Sequence, residues 1–169
     1  MHVVRIVLLA TLGFLAITAA SPVMPSVTVQ TLSGERVVLP HDLNQTSVFV
    51  AGFTKASRAE TEPWARRLRE DSRISGKVRI YEVSILDGVP GFLRGMIVSQ
   101  MKSGVAPDRQ KQFLIVTEAI DAWKRVTDSN GSDDHAHVIL VQPTGAVIWR
   151  GHGTVADPSY QSLLDAIKR

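Results

Sequence analysis

The chain has 169 residues, of which 44% are hydrophobic and 21% are charged, and it carries a formal net charge of +3 without a single cysteine. This length is typical of one domain with one buried core. The missing cysteines exclude disulfide bonds, thiolate catalysis and zinc–thiolate sites, and the small net charge does not favour a nucleic-acid partner.

Residues 1–20 have the character of a leader. Arg5 precedes an apolar run at residues 6–17, and small residues at 18–20 offer a cleavage site. The run has the length of a signal-peptide core but is shorter than the roughly 20 apolar residues of a membrane span. We therefore expect a signal peptide or membrane anchor at residues 1–20 and a folded domain at residues 21–169. The protein would then be periplasmic or secreted, or held at a membrane by an uncleaved leader. The remaining alternative for residues 1–20 is an organelle transit peptide, although such peptides are richer in arginine.

The next residues predict a β-hairpin followed by a buried strand. Apolar and polar residues alternate at 26–32, residues 33–34 form a turn signal, and residues 35–39 continue as a second strand. Residues 47–51 are almost continuously apolar, which is typical of a strand buried on both faces of a sheet.

A helix should follow this buried strand. Ser57 and Glu60 have the spacing of a capping box, which predicts a helix that begins near Arg58. Trp64 and Leu68 are four residues apart and would lie on the same face of that helix.

The rest of the chain alternates strands with helices. Further strands are predicted at residues 77–86, 113–116, 137–141 and 146–149, and helices at about 91–104, at about 120–126 and from residue 157 onward. Because a helix separates the strand at 77–86 from the buried strand before it, these two strands should pair in parallel. The order of the elements predicts an α/β domain.

The segment between the buried strand and its helix resembles a known motif. Residues 53–60, Phe-Thr-Lys-Ala-Ser-Arg-Ala-Glu, fit the aromatic-Cys-x-x-Cys-Arg-Ala-Glu motif of thioredoxin-like proteins of the peroxiredoxin and membrane-anchored thiol reductase type, with hydroxyl residues at both cysteine positions. The resemblance implies a thioredoxin-like three-layer α/β/α fold with an N-terminal β-hairpin and a central mixed sheet. It places Thr54 at the nucleophilic cysteine and Ser57 at the resolving one.

A second and closer resemblance is to the thioredoxin-like assembly factors of mitochondrial ATP synthase, which lack the dithiol pair. The features that carry it are residues 52–53, Trp64, residues 78–83, residues 113–116 and residues 147–153. It implies a chaperone-like protein that binds a subunit of a membrane complex. The chain departs from thioredoxins at residues 134–137, Asp-His-Ala-His, where thioredoxins place a cis-proline ahead of the final hairpin.

An alcohol without an adjacent base is a poor nucleophile, so Thr54 and Ser57 are not expected to be redox or catalytic centres. We expect a protein-binding surface, without a cofactor, around exposed amide donors at the helix start. The residues of this predicted surface are Phe53, Thr54, Lys55, Ala56 and Ser57. The simpler interpretation is that Ser57 only caps the helix and Thr54 is a loop residue.

Two histidines offer an alternative function. His135 and His137 would lie on one face of a strand and could hold a metal ion together, which would make the protein a small-ligand or metal-binding module. A solvated loop is the simpler interpretation, and His41 or His152 would complete the site only if the fold brought them near. A hydrolytic enzyme has no support beyond the presence of residues that can act as nucleophiles.

Overall fold

The computed structural model describes residues 22–129, 131 and 133–169, so the expected leader at residues 1–20 lies outside the described residues. The strands are β1 (Val27–Thr31), β2 (Arg36–Leu39), β3 (Ser47–Gly52), β4 (Arg79–Ile85), β5 (Phe113–Val116), β6 (His137–Val141) and β7 (Val147–His152). The helices are α1 (Arg58–Glu70), α2 (Gly91–Gly104), α3 (Ile120–Thr127) and α4 (Asp157–Ile167), with a short 3-10 helix at Gln110–Gln112. Among these helices, none has both the length and the apolar character that crossing a bilayer requires.

The described strands form one 7-stranded mixed sheet in the order β2-β1-β5-β4-β3-β6-β7. The central strands β3, β4 and β5 are parallel, whereas β1 with β2 and β6 with β7 form antiparallel hairpins. This arrangement confirms the expected N-terminal hairpin and central mixed sheet. Because β3 and β4 pair in parallel up to Gly52 and Ser84, the loops that follow these two strands leave the sheet at the same edge.

The sheet separates two hydrophobic cores. Phe49 on β3 packs against Trp123 of α3 on one face, and the next residue, Val50, belongs to the core that Trp64 of α1 and Leu163 of α4 form on the other face. Successive side chains of a strand point to opposite faces. Helices therefore cover both faces of the sheet, as the three-layer prediction requires.

Helix α2 is attached more loosely than the other three helices. None of its residues is buried. Its inward side chains Ile97 and Met101 pack against a small cluster formed by Leu32, Leu86 and Ile115. The helix thus contributes little to either main core.

Candidate functional site

Loop 53–57 connects β3 to α1 and contains all five residues of the predicted binding surface. Phe53 is only 5% exposed, and its ring lies edge-on to His137 with 5.4 Å between the ring centroids. Ser57 is also buried. The exposed members of the loop are Thr54, Lys55 and Ala56. A partner could touch these three directly, whereas Phe53 and Ser57 support the loop from beneath.

Hydrogen bonds hold both hydroxyl groups that occupy the dithiol positions. Thr54 Oγ1 donates to Asp134 Oδ1 at 2.7 Å, and Ser57 Oγ donates to the carbonyl oxygen of Thr54 at 2.7 Å. The first bond joins the loop to the segment before β6, and the second closes the turn. A carbonyl oxygen cannot take up the proton of Ser57, so this bond leaves its hydroxyl unactivated as a nucleophile.

The expected capping box is not formed, although α1 begins at Arg58 as predicted. Ser57 has helical φ and ψ angles of −59° and −17°, so the turn before α1 already follows the helical path. Its hydroxyl therefore bonds back to Thr54 instead of forward to an amide of the helix. The first two amides of α1 donate to carbonyl oxygens inside loop 53–57. These amide donors, predicted to be exposed at the helix start, are thus used within the turn.

Glu60, the other half of the predicted capping box, binds a distant part of the chain. Its carboxylate accepts the N–H of Ala136 at 2.9 Å and lies 3.0 Å from His135 Nδ1. Because Ala136 is fully buried, this bond satisfies an amide that water cannot reach. Together with the bond from Thr54 to Asp134, it holds the segment before β6 against the start of α1. This is the segment at which the chain departs from the thioredoxin pattern.

The close approach of the loop to the end of β3 requires glycine at position 52. A Cβ atom on Gly52 would collide with Ser57 Oγ and would lie 3.3 Å from Thr61 Cγ2. The absence of a side chain at this position therefore lets Ser57 sit directly over the strand end.

A charged cluster lies beside Phe53. Lys124 Nζ on α3 is 2.7 Å from Asp87 Oδ2 and 3.2 Å from Asp133 Oδ2, and it lies 5.9 Å from the centroid of the Phe53 ring. The hydrogen bonds to Asp87 and Asp133 raise the pKa of Lys124 above its ordinary value. The cluster connects the chain after β4 with α3 and with the segment before β6.

His135 and His137 occupy different surroundings. His135 is half-exposed and contacts Glu60 on the α1 side of the sheet, whereas His137 is 1% exposed and packs against Phe53 in the other core. Because β6 begins at His137, His135 lies ahead of the strand on which the two rings were expected to share a face. Within residues 22–129, 131 and 133–169, no three His, Asp or Glu side chains form a group that could hold a metal ion. Metal binding by His135 and His137 stays a prediction.

The fold brings one further histidine beside His137. His152 is its direct partner across the β6–β7 pair, which places both side chains on the same face of the sheet. His41 lies beside Asp42, after β2. Sequence spacing could not have indicated the neighbour of His137, because strand pairing sets it.

The structure also shows an exposed apolar pair that the sequence did not single out as a site. Phe92 and Met96 are one turn apart on α2 and are 84% and 64% exposed. Since α2 follows β4, its first turn lies at the same edge of the sheet as loop 53–57. We call residues 54–56 together with Phe92 and Met96 the edge surface.

Comparisons with known proteins identify the fold. No protein-family model matches the chain, and no curated protein sequence matches it. Several solved structures are similar. The thioredoxin domain of a thiol-disulfide oxidoreductase from Bacteroides vulgatus is 19% identical, with a TM-score of 0.54, and the match covers 89% of this chain and 99% of that one.

Two further similar structures come from proteins with other descriptions. A member of the Sco family of cytochrome c oxidase assembly proteins is 15% identical, with a TM-score of 0.56 and coverage of 88% of this chain and 92% of that one. The exposed lipoprotein thioredoxin of Streptococcus pneumoniae is 11% identical, with a TM-score of 0.50 and coverage of 82% and 97%. These likenesses confirm the predicted thioredoxin-like fold. The thiol chemistry in the first protein's name needs cysteine, which this chain lacks.

Proposed function

We propose that this chain is a non-enzymatic, non-redox protein-binding factor that assists the assembly of a membrane complex by binding one of its subunits. The observation that carries the proposal is the edge surface. The loop that bears a dithiol in thiol reductases here bears two hydrogen-bonded hydroxyl groups, and two large apolar side chains project into solvent at the same edge of the sheet.

Phe92 and Met96 are available to a partner because the core does not use them. The inward side of α2 is provided by residues such as Ile97 and Met101, which pack against the small cluster described above. Complete burial of one large apolar side chain contributes about 1.5–3 kcal/mol. Exposed apolar side chains of this kind are typical of protein interaction sites when they lie together.

The charge of this region favours a particular kind of partner surface. Residues 88–107 contain no acidic residue, while Arg94 and Lys102 lie on α2. Lys55 adds an exposed positive charge on the loop. The exposed carboxylate of Asp134 binds Thr54 of the same surface, so charges of both signs lie side by side here. A partner segment that combines apolar side chains with charges of both signs would complement the edge surface.

The comparisons support an assembly role by precedent. The same fold occurs in a protein described as a member of a family of cytochrome c oxidase assembly proteins. The sequence resemblance to the assembly factors of mitochondrial ATP synthase supports the same kind of role. The apolar run at residues 6–17 supports export or attachment to a membrane.

Affinity capture from solubilised membranes, analysed by mass spectrometry, tests the proposal. We expect the full chain to retain a specific membrane-complex subunit and the double variant Phe92→Ser with Met96→Ser to lose it. Ile148→Ser is the matched control, because Ile148 is an exposed apolar residue on β7, next to Val147, whose partner Val141 lies opposite Ser47 at the other end of the sheet. If the double variant retained the subunit as well as the wild type does, the proposed contact of α2 with the partner would be refuted.

Phe53 is not suitable for this test, because its burial means that truncation would destabilise the loop whether or not a partner binds. Ala56→Glu is better, since Ala56 is exposed and a bound partner would bury the added charge without an opposite charge to pair with it. An insulin-reduction assay provides an independent check: we expect no activity, and reduction above the rate of buffer would overturn the non-redox assignment.

A further inference from the structure

A cavity of about 250 Å³ lies at the opposite end of the sheet from the edge surface. It is bordered by the last part of α1, by the chain that leads into β4 and by the short 3-10 helix, and it lies on the α1 side of the sheet. The start of β4, at Arg79, pairs with Ser47 at the start of β3. Loop 53–57 follows the other end of β3, about 17 Å away at roughly 3.3 Å per residue.

Two guanidinium groups share one carboxylate at this cavity. Arg69 Nη1 is 2.5 Å from Glu82 Oε1, and Arg109 Nη1 is 3.8 Å from the same oxygen. All three side chains line the cavity. They are only partly exposed, at 29% for Arg69, 34% for Arg109 and 18% for Glu82.

This arrangement leaves positive charge uncompensated, because Arg79 also lines the cavity and Glu82 is the only carboxylate of the lining. The cations thus outnumber the anion in a site that is partly withdrawn from water, where charges interact more strongly than on an open surface. The guanidinium of Arg109 donates no hydrogen bond to any other described residue, so its donors are available to a ligand. A second carboxylate would reduce this excess of positive charge and match the geometry of these donors.

The other residues that line the cavity indicate which kind of ligand it would bind. The partly exposed Ile80 and the neighbouring Val78 form the accessible apolar part of the lining, and the carboxamides of Gln45 and Gln112 add polar groups. The volume lies below the range of typical drug-sized sites. We propose that this cavity binds a small apolar monocarboxylate, with Arg109 and Arg69 holding the carboxylate and Ile80 and Val78 contacting the apolar body.

Isothermal titration of the full chain in a non-ionic detergent, with benzoate as the probe, tests this proposal. We expect saturable binding of one benzoate per chain, weakened about tenfold or more by Arg109→Gln, since a charge-assisted hydrogen bond is lost. Arg69→Gln, on a different element, should weaken it as well. Arg36→Gln should leave it unchanged, because Arg36 is an exposed arginine on β2, outside the cavity.

Two further probes separate the parts of the proposal. Benzyl alcohol, which has the ring without the charge, should not bind measurably, and acetate should bind more weakly than benzoate because it lacks the apolar body. Three results would overturn the assignment. The first is no saturable binding of benzoate, and the second is binding by Arg109→Gln and Arg69→Gln as tight as that of the wild type. The third is a loss of affinity in Arg36→Gln as large as in the two cavity variants. The variant Phe92→Ser with Met96→Ser should bind benzoate normally, which keeps this site distinct from the edge surface.

Discussion

Glu60 does not form the predicted cap at the start of α1 and instead binds a segment that is distant in the sequence. Its spacing from Ser57 predicts a reciprocal cap at the start of α1, yet its carboxylate binds the amide of Ala136, 76 residues further along the chain. The turn before α1 satisfies its own donors, which frees Glu60 to hold the segment that leads into β6. At the scale of the residue, Glu60 therefore connects the start of α1 to the segment before β6.

Replacing Glu60 with alanine should lower the free energy of unfolding by about 1–3 kcal/mol, because the buried amide of Ala136 would lose its acceptor. Urea denaturation followed by circular dichroism measures the change. Glu60→Gln is the matched control, since its amide oxygen can still accept from Ala136. Equal losses of unfolding free energy in the two variants would show that Glu60 stabilises the fold through its charge and not through the hydrogen bond to Ala136.

Asp71 should give the stability a dependence on acid pH. Hydrogen bonds from Arg73 and from the Tyr160 hydroxyl hold the pKa of Asp71 well below its ordinary value of 3.8. A carboxylate whose pKa is lower in the folded state contributes stability above the unfolded pKa, and this contribution is lost as the pH falls through the folded pKa.

The variant Asp71→Asn should therefore melt at a lower temperature than the wild type at pH 6, and the difference should shrink between about pH 4 and pH 2. Thermal melts across this range provide the measurement. A difference that stayed constant down to pH 2 would mean that ionisation of Asp71 does not contribute.

At the scale of the element, local sequence patterns were sufficient for most helices and strands. Alternation identified β1, the continuous apolar run identified β3, and helical spacing identified α2. These patterns reflect burial by immediate neighbours. They do not show which side of a helix meets the rest of the fold, and so the exposure of Phe92 and Met96 on α2 could not be foreseen.

The candidate site could be predicted only in part, for the same physical reason. The motif located Thr54 and Ser57 at the start of α1, because that relation is local. The contacts from Thr54 to Asp134 and from Glu60 to Ala136 span 80 and 76 residues, and they depend on the pairing of β3 with β6. No local pattern encodes such a pairing.

Gln110 should control how firmly α2 is held at its C-terminal end. Its side-chain amide donates to the carbonyl oxygens of Lys102 and Val105, at 3.1 and 2.9 Å, and it is buried. Gln110→Leu removes both bonds, so amides in the last turns of α2 should exchange hydrogen faster while those of α1 remain protected. Gln112→Leu, at an exposed position, is the control. Unchanged exchange in α2 would show that other contacts hold it.

At the scale of the whole molecule, the chain has a thioredoxin-like fold without a dithiol. Introducing two cysteines at the dithiol positions tests whether the loop still has the geometry of the dithiol proteins. Thr54 and Ser57 are the first and last residues of a four-residue turn closed by a hydrogen bond of 2.7 Å. The Cα atoms at the ends of such a turn are less than about 7 Å apart, and disulfides commonly span about 4.4–6.8 Å.

The double variant Thr54→Cys with Ser57→Cys should therefore form an intramolecular disulfide on mild oxidation. Titration with a thiol reagent should find no free thiol in the oxidised double variant and one in Thr54→Cys alone. Two free thiols after oxidation would indicate that the loop geometry has diverged from that of the dithiol proteins.

The position of β5 determines when the sheet can close. This strand lies between β1 and β4, through the pairs Gln30↔Ile115 and Val83↔Leu114. Until residues 113–116 are present, β1 and β4 each expose an unpaired edge, and such edges recruit other chains. Pairings between strands so distant in the sequence also form slowly. A nascent chain that stops before β5 should consequently remain open and prone to aggregate, and folding of the central sheet should wait for the later part of the chain.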